Sequence, residues 1–303
     1  MTRILRQALV LGSMVAALAA QATPPTQLTL GIYSFKKRTE VWKQFQPVTQ
    51  ELSRLMSAQL GTQVTVELSV PPSYEECLDQ FVAGKIDIVR FGPASYVLAK
   101  QRAPGVQLLA AEREDAKGVG LIVVRDDSPI TSLAQLAGKK FAFGDSQSTI
   151  GRYLSQAELV KAGILQRDLE KSEYLDRHDN VFKSVEIGDH DAGALHADTF
   201  KELNAKAAHK LRVLHPFDNA PKPWLARPGL ALEITNALTA SLLRVADPES
   251  LKALKVPGFA VTSDAEFEIV RTGMAASEKF APAAAATPAK EPAPAPAPAP
   301  NKG

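Results

Sequence analysis

The middle of the chain alternates short apolar strands with segments of helical period, and this alternation limits the possible folds more than any other feature. Residues 27–33 (QLTLGIY) alternate apolar and polar positions, as a half-buried strand does. Val41, Phe45, Val48, Leu52 and Leu55 then recur at helical spacing, and Gly61 marks the stop. The pattern repeats. Strands are predicted at 64–68, 86–89, 106–110, 119–124, 140–143, 174–175, 191–194 and 211–214. Helices are predicted after 73, after 92, over 150–162, from 180, up to 208, and over 230–245 and 264–276. Such an order predicts an α/β fold of parallel sheets with helices on both faces. No fixed-period repeat is present, which excludes a solenoid.

The two ends differ from this body. Arg3 and Arg6 precede an apolar run over 8–20, and Ala20-Gln21-Ala22 supplies the small-x-small pattern of a cleavage site. The run is too short to span a bilayer. Residues 1–22 are therefore expected to be a signal peptide cleaved after Ala22, with the mature chain soluble in the periplasm. Residues 281–303 hold ten Ala and seven Pro, and the run over 292–300 alternates Pro and Ala strictly. Proline at every second position removes the donors that helices and sheets require, so a disordered, polyproline-like tail is expected there. Of the net charge of +2 over 303 residues, the leader carries +2 and the tail +1, which leaves 23–280 at −1. A near-neutral body argues against nucleic acid as a partner. One cysteine, Cys77, excludes a disulfide framework within one chain.

Five motifs stand in order along the body. They are Ser73-Tyr74-Glu75; Gly84-Lys85-Ile86-Asp87 running into Phe91-Gly92-Pro93-Ala94-Ser95-Tyr96; Asp126 with Ser128-Pro129-Ile130, Leu133, Leu136 and Gly138; Gly144-Asp145-Ser146-Gln147-Ser148-Thr149-Ile150-Gly151; and His178-Asp179-Asn180 with Gly188, Asp191, Ala192, Gly193 and Ala194. Together they resemble the periplasmic substrate-binding proteins of phosphonate, phosphite and phosphate ABC importers, over residues 28–276. The resemblance implies a two-lobed type II periplasmic-binding-protein clamp with its ligand cleft at the lobe interface. Lobe 1 would combine 23–117 with 215–280, and lobe 2 would be 118–214. It also implies a monomer that delivers a small oxyanion to an inner-membrane permease, without cofactor.

One part of the anion reading rests on the residues alone. Ser148 and Thr149 open a predicted helix, whose N-terminus presents free N–H groups and a partial positive charge. Hydroxyls there hold an anion without a lysine; Ser148 also fits a plain helix cap. Gly92 permits close backbone approach beside Phe91, or simply makes the turn before Pro93. Tyr33 ends the first strand, where open α/β sheets place ligands. The resemblance implies that Tyr74 and His178 meet the anionic group. It puts an amine-holding acid of aminoalkylphosphonate binders near Asp198, but the second such position falls near Lys222, a cation that repels an amine. A smaller oxyanion fits better.

Enzyme chemistry is not expected. His190 and His196 with Asp189, Asp191 and Asp198 lack the tight helical spacing of a metal site, and no G-x-S-x-G surrounds Ser148. Trp42 and Trp224 read as packing or cleft-wall residues. A second function class uses the same clamp, as an adaptor that presents its solute to a membrane sensor kinase.

Overall fold

Two mixed sheets, each strung from alternating strands and helices, make up the computed structural model, which describes residues 26–34, 37–113 and 119–281. The expected leader and the tail beyond Ala281 lie outside those residues, as does most of the expected first crossing near 115–120. In chain order the elements begin β1 (Thr26–Gly31), α1 (Arg38–Leu60), β2 (Val64–Ser69), α2 (Tyr74–Val82), β3 (Ile88–Arg90), α3 (Pro93–Arg102) and β4 (Gln107–Glu112). Then come β5 (Gly120–Arg125), β6 (Lys140–Phe143), α4 (Ser155–Lys161), β7 (Lys171–Tyr174), α5 (His178–Ile187), β8 (Ala192–His196), α6 (Ala197–Asn204) and β9 (Leu211–Phe217). The chain closes with β10 (Pro223–Ala226), α7 (Leu232–Arg244), α8 (Pro248–Leu254), β11 (Phe259–Ala260) and α9 (Glu268–Ser277).

The first sheet runs β11-β4-β10-β3-β1-β2 and the second β7-β6-β8-β5-β9. Neither is parallel throughout, which corrects the expectation. β1 pairs parallel with β2 and β3, but β10 returns antiparallel between β3 and β4. In the second sheet β6 pairs parallel with β7 and β8, while β5 lies antiparallel to β8 and β9. The reason is connectivity. The strands that enter and leave each sheet at a crossing arrive from the other sheet, so no βαβ unit fixes their direction.

Apolar periodicity sets the local structure. α1 buries Val41, Phe45, Val48, Leu52 and Met56 on one stripe against the first sheet. β5 (GLIVVR) is buried over its first five residues, the pattern of a strand covered on both faces. Leu30, Leu52, Ile88 and Trp224 anchor one core, and Ile122, Phe141 and Phe143 another. Each such side chain contributes about 1.5–3 kcal/mol on burial.

The expected span of lobe 1, 215–280, divides in the structure. β9 carries the second sheet through Phe217. α9 packs on α3 and also on α4 and the turn before it. Phe280 lies edge-on to Phe143 at 5.4 Å in the second core, and its carbonyl accepts the Gln166 N–H at 2.9 Å. The predicted helix over 150–162 is also split, into a π-helical turn, Thr149–Leu154, followed by α4. Such turns are frequent at functional sites.

Candidate ligand cleft

A small cavity of about 110 Å³ lies between the two sheets. Drug-sized pockets run to about 300–1,000 Å³, so only a small molecule fits. Its walls are the C-terminal ends of strands: Ile32 and Tyr33 beyond β1, Arg90 and Gly92 at β3, Ser148 and Thr149 beyond β6, and His196 at β8. Open α/β sheets place ligands at these ends.

Five helical N-termini converge on this space. Tyr74 is the first residue of α2, Pro93 of α3, Thr149 of the π-helical turn and His178 of α5, while His196 caps α6. Each terminus adds partial positive charge and N–H groups, so their sum favours an anion. Arg90 and Lys222 add two full cations to the lining.

Hydrogen bonds hold the wall from both sides. Ser148 Oγ accepts the Gly151 N–H at 3.0 Å, and Thr149 Oγ1 accepts the Ala94 N–H of α3 at 2.9 Å. The second bond joins the two sheets' halves across the cleft. Both hydroxyls are about 95% buried. Tyr74 shares hydrogen bonds with Tyr33 and with Ser148, and the two tyrosine rings lie 3.8 Å apart. Burial first, then the Tyr74 neighbour, raises the Tyr33 phenol well above its usual range. Gly144 and Gly151 press backbone to backbone: a Cβ at Gly151 would lie 2.8 Å from the Gly144 Cα. That contact sets the turn against His178, whose Nδ1 is 3.6 Å from where a Gly144 Cβ would sit.

Behind the cavity, Arg90 forms a two-pronged pair with Glu112 at 2.5 and 2.9 Å, and Trp224 Nε1 donates to the same carboxylate at 3.0 Å. Burial alone would push Glu112 up, but Arg90, Lys222 and Trp224 outweigh it, and the carboxyl sits below its usual range. In the cavity itself the balance differs. His178 is pushed down to about 4 by burial and then by Lys222, against opposition from the Ala194 backbone and Asp179. His196 is likewise pushed down to about 4 by burial and Lys222. Three buried polar atoms of the lining have no partner: His178 Nδ1, His196 Nε2 and Asn219 Oδ1. Unsatisfied buried groups are rare, and three in one cavity mark a place for a polar guest. A wider cavity of about 430 Å³ shares Tyr33, Tyr74, Ser148 and His178 and extends toward Asp176, Glu202 and Lys255.

Of the eight residues singled out in the sequence, Tyr33, Tyr74, Phe91, Gly92, Ser148, Thr149 and His178 border the small cavity. Phe91 does so from the core, with its ring edge-on to Phe81 at 5.5 Å. Gly92 sits close against the wall: a Cβ there would meet the Tyr33 hydroxyl at 3.3 Å and Thr149 Oγ1 at 3.5 Å. Asp198 is the correction. Its side chain is 78% exposed and outside the cavity, and its backbone N–H donates to His196 Nδ1. Asp198 is the second residue of α6, and the cap, His196, is the residue that lines the cavity. Arg90, His196, Asn219 and Lys222 were not singled out as binding residues. His196 was missed because the predicted strand stopped at 194, whereas β8 runs to His196, which also caps α6. Among the described residues, no group of three His, Cys, Asp or Glu side chains is placed to hold a metal.

The family model for the ABC transporter phosphonate periplasmic substrate-binding protein matches residues 30–267. The chain belongs to this family. Among curated members, the probable ABC transporter phosphite binding protein PhnD1 of Prochlorococcus marinus is 28% identical over 168 residues, 52% of this chain and 57% of that protein. The phosphate-import protein PhnD of Mycolicibacterium smegmatis is 26% identical over 182 residues, 56% of this chain and 54% of that protein. The matched spans thus cover little more than half the length of these curated relatives. In structure, PhnD1 of Prochlorococcus marinus in complex with methylphosphonate superimposes with a TM-score of 0.72 at 21% identity, covering 84% of this chain and 99% of that one. This phosphonate-binding family member therefore shares the two-lobed fold, and no helix among its described residues is long and apolar enough to cross a membrane.

Proposed function

We propose that the chain captures a small tetrahedral oxyanion (phosphate, phosphite or a short-chain phosphonate) and delivers it to the permease of an ABC importer. In this reading it is exported, cleaved after Ala22, and works as a monomer in the periplasm. The carrying observation is the convergence of five helical N-termini on a cavity of about 110 Å³ with unpartnered polar atoms in its wall. Membership in a transport-receptor family and the oxyanions named for its relatives support the same conclusion. Ser148, Thr149, Tyr74 and His178 are the proposed contacts, with Lys222 supplying charge beside an Arg90 that is already paired with Glu112.

Thermal-shift titration with phosphate, phosphite and methylphosphonate tests it, because a ligand that binds the folded state raises the melting point. At least one of the three is expected to do so. Ser148→Ala with Thr149→Val is expected to weaken that binding about 100-fold or more, since hydrogen bonds to a charged group contribute roughly 1.5–3 kcal/mol each. The lost Ser148 cap costs about 1 kcal/mol of stability and the Ala94 N–H left without its Thr149 acceptor about 1–3 kcal/mol more, so the fold of the double variant is checked by urea unfolding before titration. No shift with any of the three anions would overturn the assignment.

A further inference from the structure

A cavity of about 620 Å³ lies apart from the cleft and shares no lining residue with either cavity there. One face of α9, from Glu268 to Ala276, forms one wall, and α4 with Leu154 of the turn before it forms another. Val119 leads into β5 and Phe217 ends β9, so both stretches that join the sheets border the space. The helical walls are already in contact at Gly273, where a Cβ would clash with Leu154 Cδ2, and cannot close further on the space. Leu154, Phe217, Ile269 and Ala276 make the lining partly apolar, and Ile269 is left 42% exposed. The charged part of the lining is acidic. Glu158, Asp218 and Glu268 stand against Lys161, and with the Arg271 that pairs with Glu268 the three acids still exceed the two bases.

We propose that this cavity is the docking site of the chain's own Ala/Pro-rich C-terminal segment, with the alternating run 292–300 seated along α9 and against both joining stretches. The segment is at hand. The sequence continues for 22 residues past Ala281, and Ala281 stands five residues beyond Ala276 of the lining. Phe280 fixes the point of departure in the second core. In polyproline form 22 residues reach about 68 Å at 3.1 Å each, whereas the wall from Glu268 to Ala276 spans about 12 Å at 1.5 Å per helical residue. About four residues of the alternating run cover that length, and those before them let the chain turn back. The segment also suits the cavity chemically. Prolyl rings and alanine methyls present an apolar surface without needing a strand edge, and a preformed extended chain loses little entropy on docking. Lys290, Glu291 and Lys302 give residues 282–303 a net charge of +1, which complements the acidic lining. Tethering sets an effective concentration of order millimolar, which a free partner lacks, so weak contacts suffice to seat the segment.

Trypsin at Lys290 reads the docking directly, because cleavage follows the population of the undocked state. Release of residues 291–303 from the ligand-free full chain, read by mass spectrometry, is expected to be at least about tenfold slower than from Ile269→Lys. That substitution places a cation against the basic segment at an exposed position, and Thr272→Lys, also exposed on this face of α9, repeats the test should the first variant not fold. Ending the chain at Ala281 is expected to lower the melting point by about 2–4 °C, and to have no further effect in the Ile269→Lys background, since both changes remove one contact. Neither measurement depends on what the cleft binds. Equal release from the full chain and both variants, or equal effects of truncation in both backgrounds, would overturn the inference. Protection that rises with protein concentration, with a dimer in sedimentation, would give the cavity to a second copy and overturn it as well.

Discussion

The cluster of Arg90, Glu112 and Trp224 and the face made by His178, His196 and Asn219 lie a few residues apart in space, and both bury polar groups. In the first, the carboxylate is met by a guanidinium and an indole N–H. In the second, three buried atoms have no partner. Burying polar groups is costly in both places, but only the first recovers the cost within the protein. The partnered cluster satisfies itself within the sheet, and the unpartnered face is where the proposed anion would supply the missing partners.

The sharpest way to break that contrast is to damage each side and read both outputs. Glu112→Ala leaves Arg90 beside an emptied pocket and is expected to cost about 3 kcal/mol of stability, read by urea unfolding. An unchanged midpoint would show that the pair does not support the sheet. His178→Gln with His196→Gln is expected to do the reverse: little change in unfolding at pH 7, and a loss of about 100-fold in affinity for whichever anion binds, read by calorimetry. Loss of stability without loss of affinity would place the histidines with the structural cluster.

Acid separates the two regions further. Both histidines hold folded values near 4 against an ordinary 6.5. The unfolded chain therefore takes up protons first, and stability present above about pH 6.5 is lost as pH falls toward 4. By pH 5 the ligand-free protein is expected to lose about 1–2 kcal/mol per histidine, and the double glutamine variant to lack this slope. Glu112 lies below its ordinary range, so its contribution disappears only at lower pH. The smallest effect is expected at Asp198. Asp198→Asn, at an exposed position, is expected to change stability by less than about 0.5 kcal/mol and affinity by less than about threefold.

Much of this architecture was legible in the chain because its signals are local. Val41, Phe45, Val48 and Leu52 report a buried helical stripe by spacing, though Met56 rather than the expected Leu55 completes it, and Ser148-Thr149 after the KFAF strand report a strand end followed by a helix start. What stayed hidden depends on distant pairing. Pro223–Ala226 is four residues long and begins with proline, so no period reveals a strand. Yet its antiparallel return sets Trp224 opposite Arg90 and carries the adjoining Lys222 to the cavity. Arg90 read as the polar end of a strand and Asn219 as a loop residue, since neither gains its role until β10 closes the wall. The departure at Lys222, which counted against an amine, turned out to be a cation of the lining itself. Asp198 misled for a related reason: the strand ran two residues past its predicted end at 194, to His196, and shifted the inward position.

α9 touches α3 on one side and α4 with the π-helical turn on the other, and the chain just past it is pinned by Phe280 in the second core. A rotation of one lobe on the other would be expected to load the contact with α3, because the chain beyond the helix is clamped in the second core. The C-terminal chain leaves from Ala281, immediately after that clamp. Whatever is joined there, natural or engineered, rides on the second lobe. A probe fused at the C-terminus and a second one on α1 would thus report cleft opening as a change in distance, with no label inside the cavity.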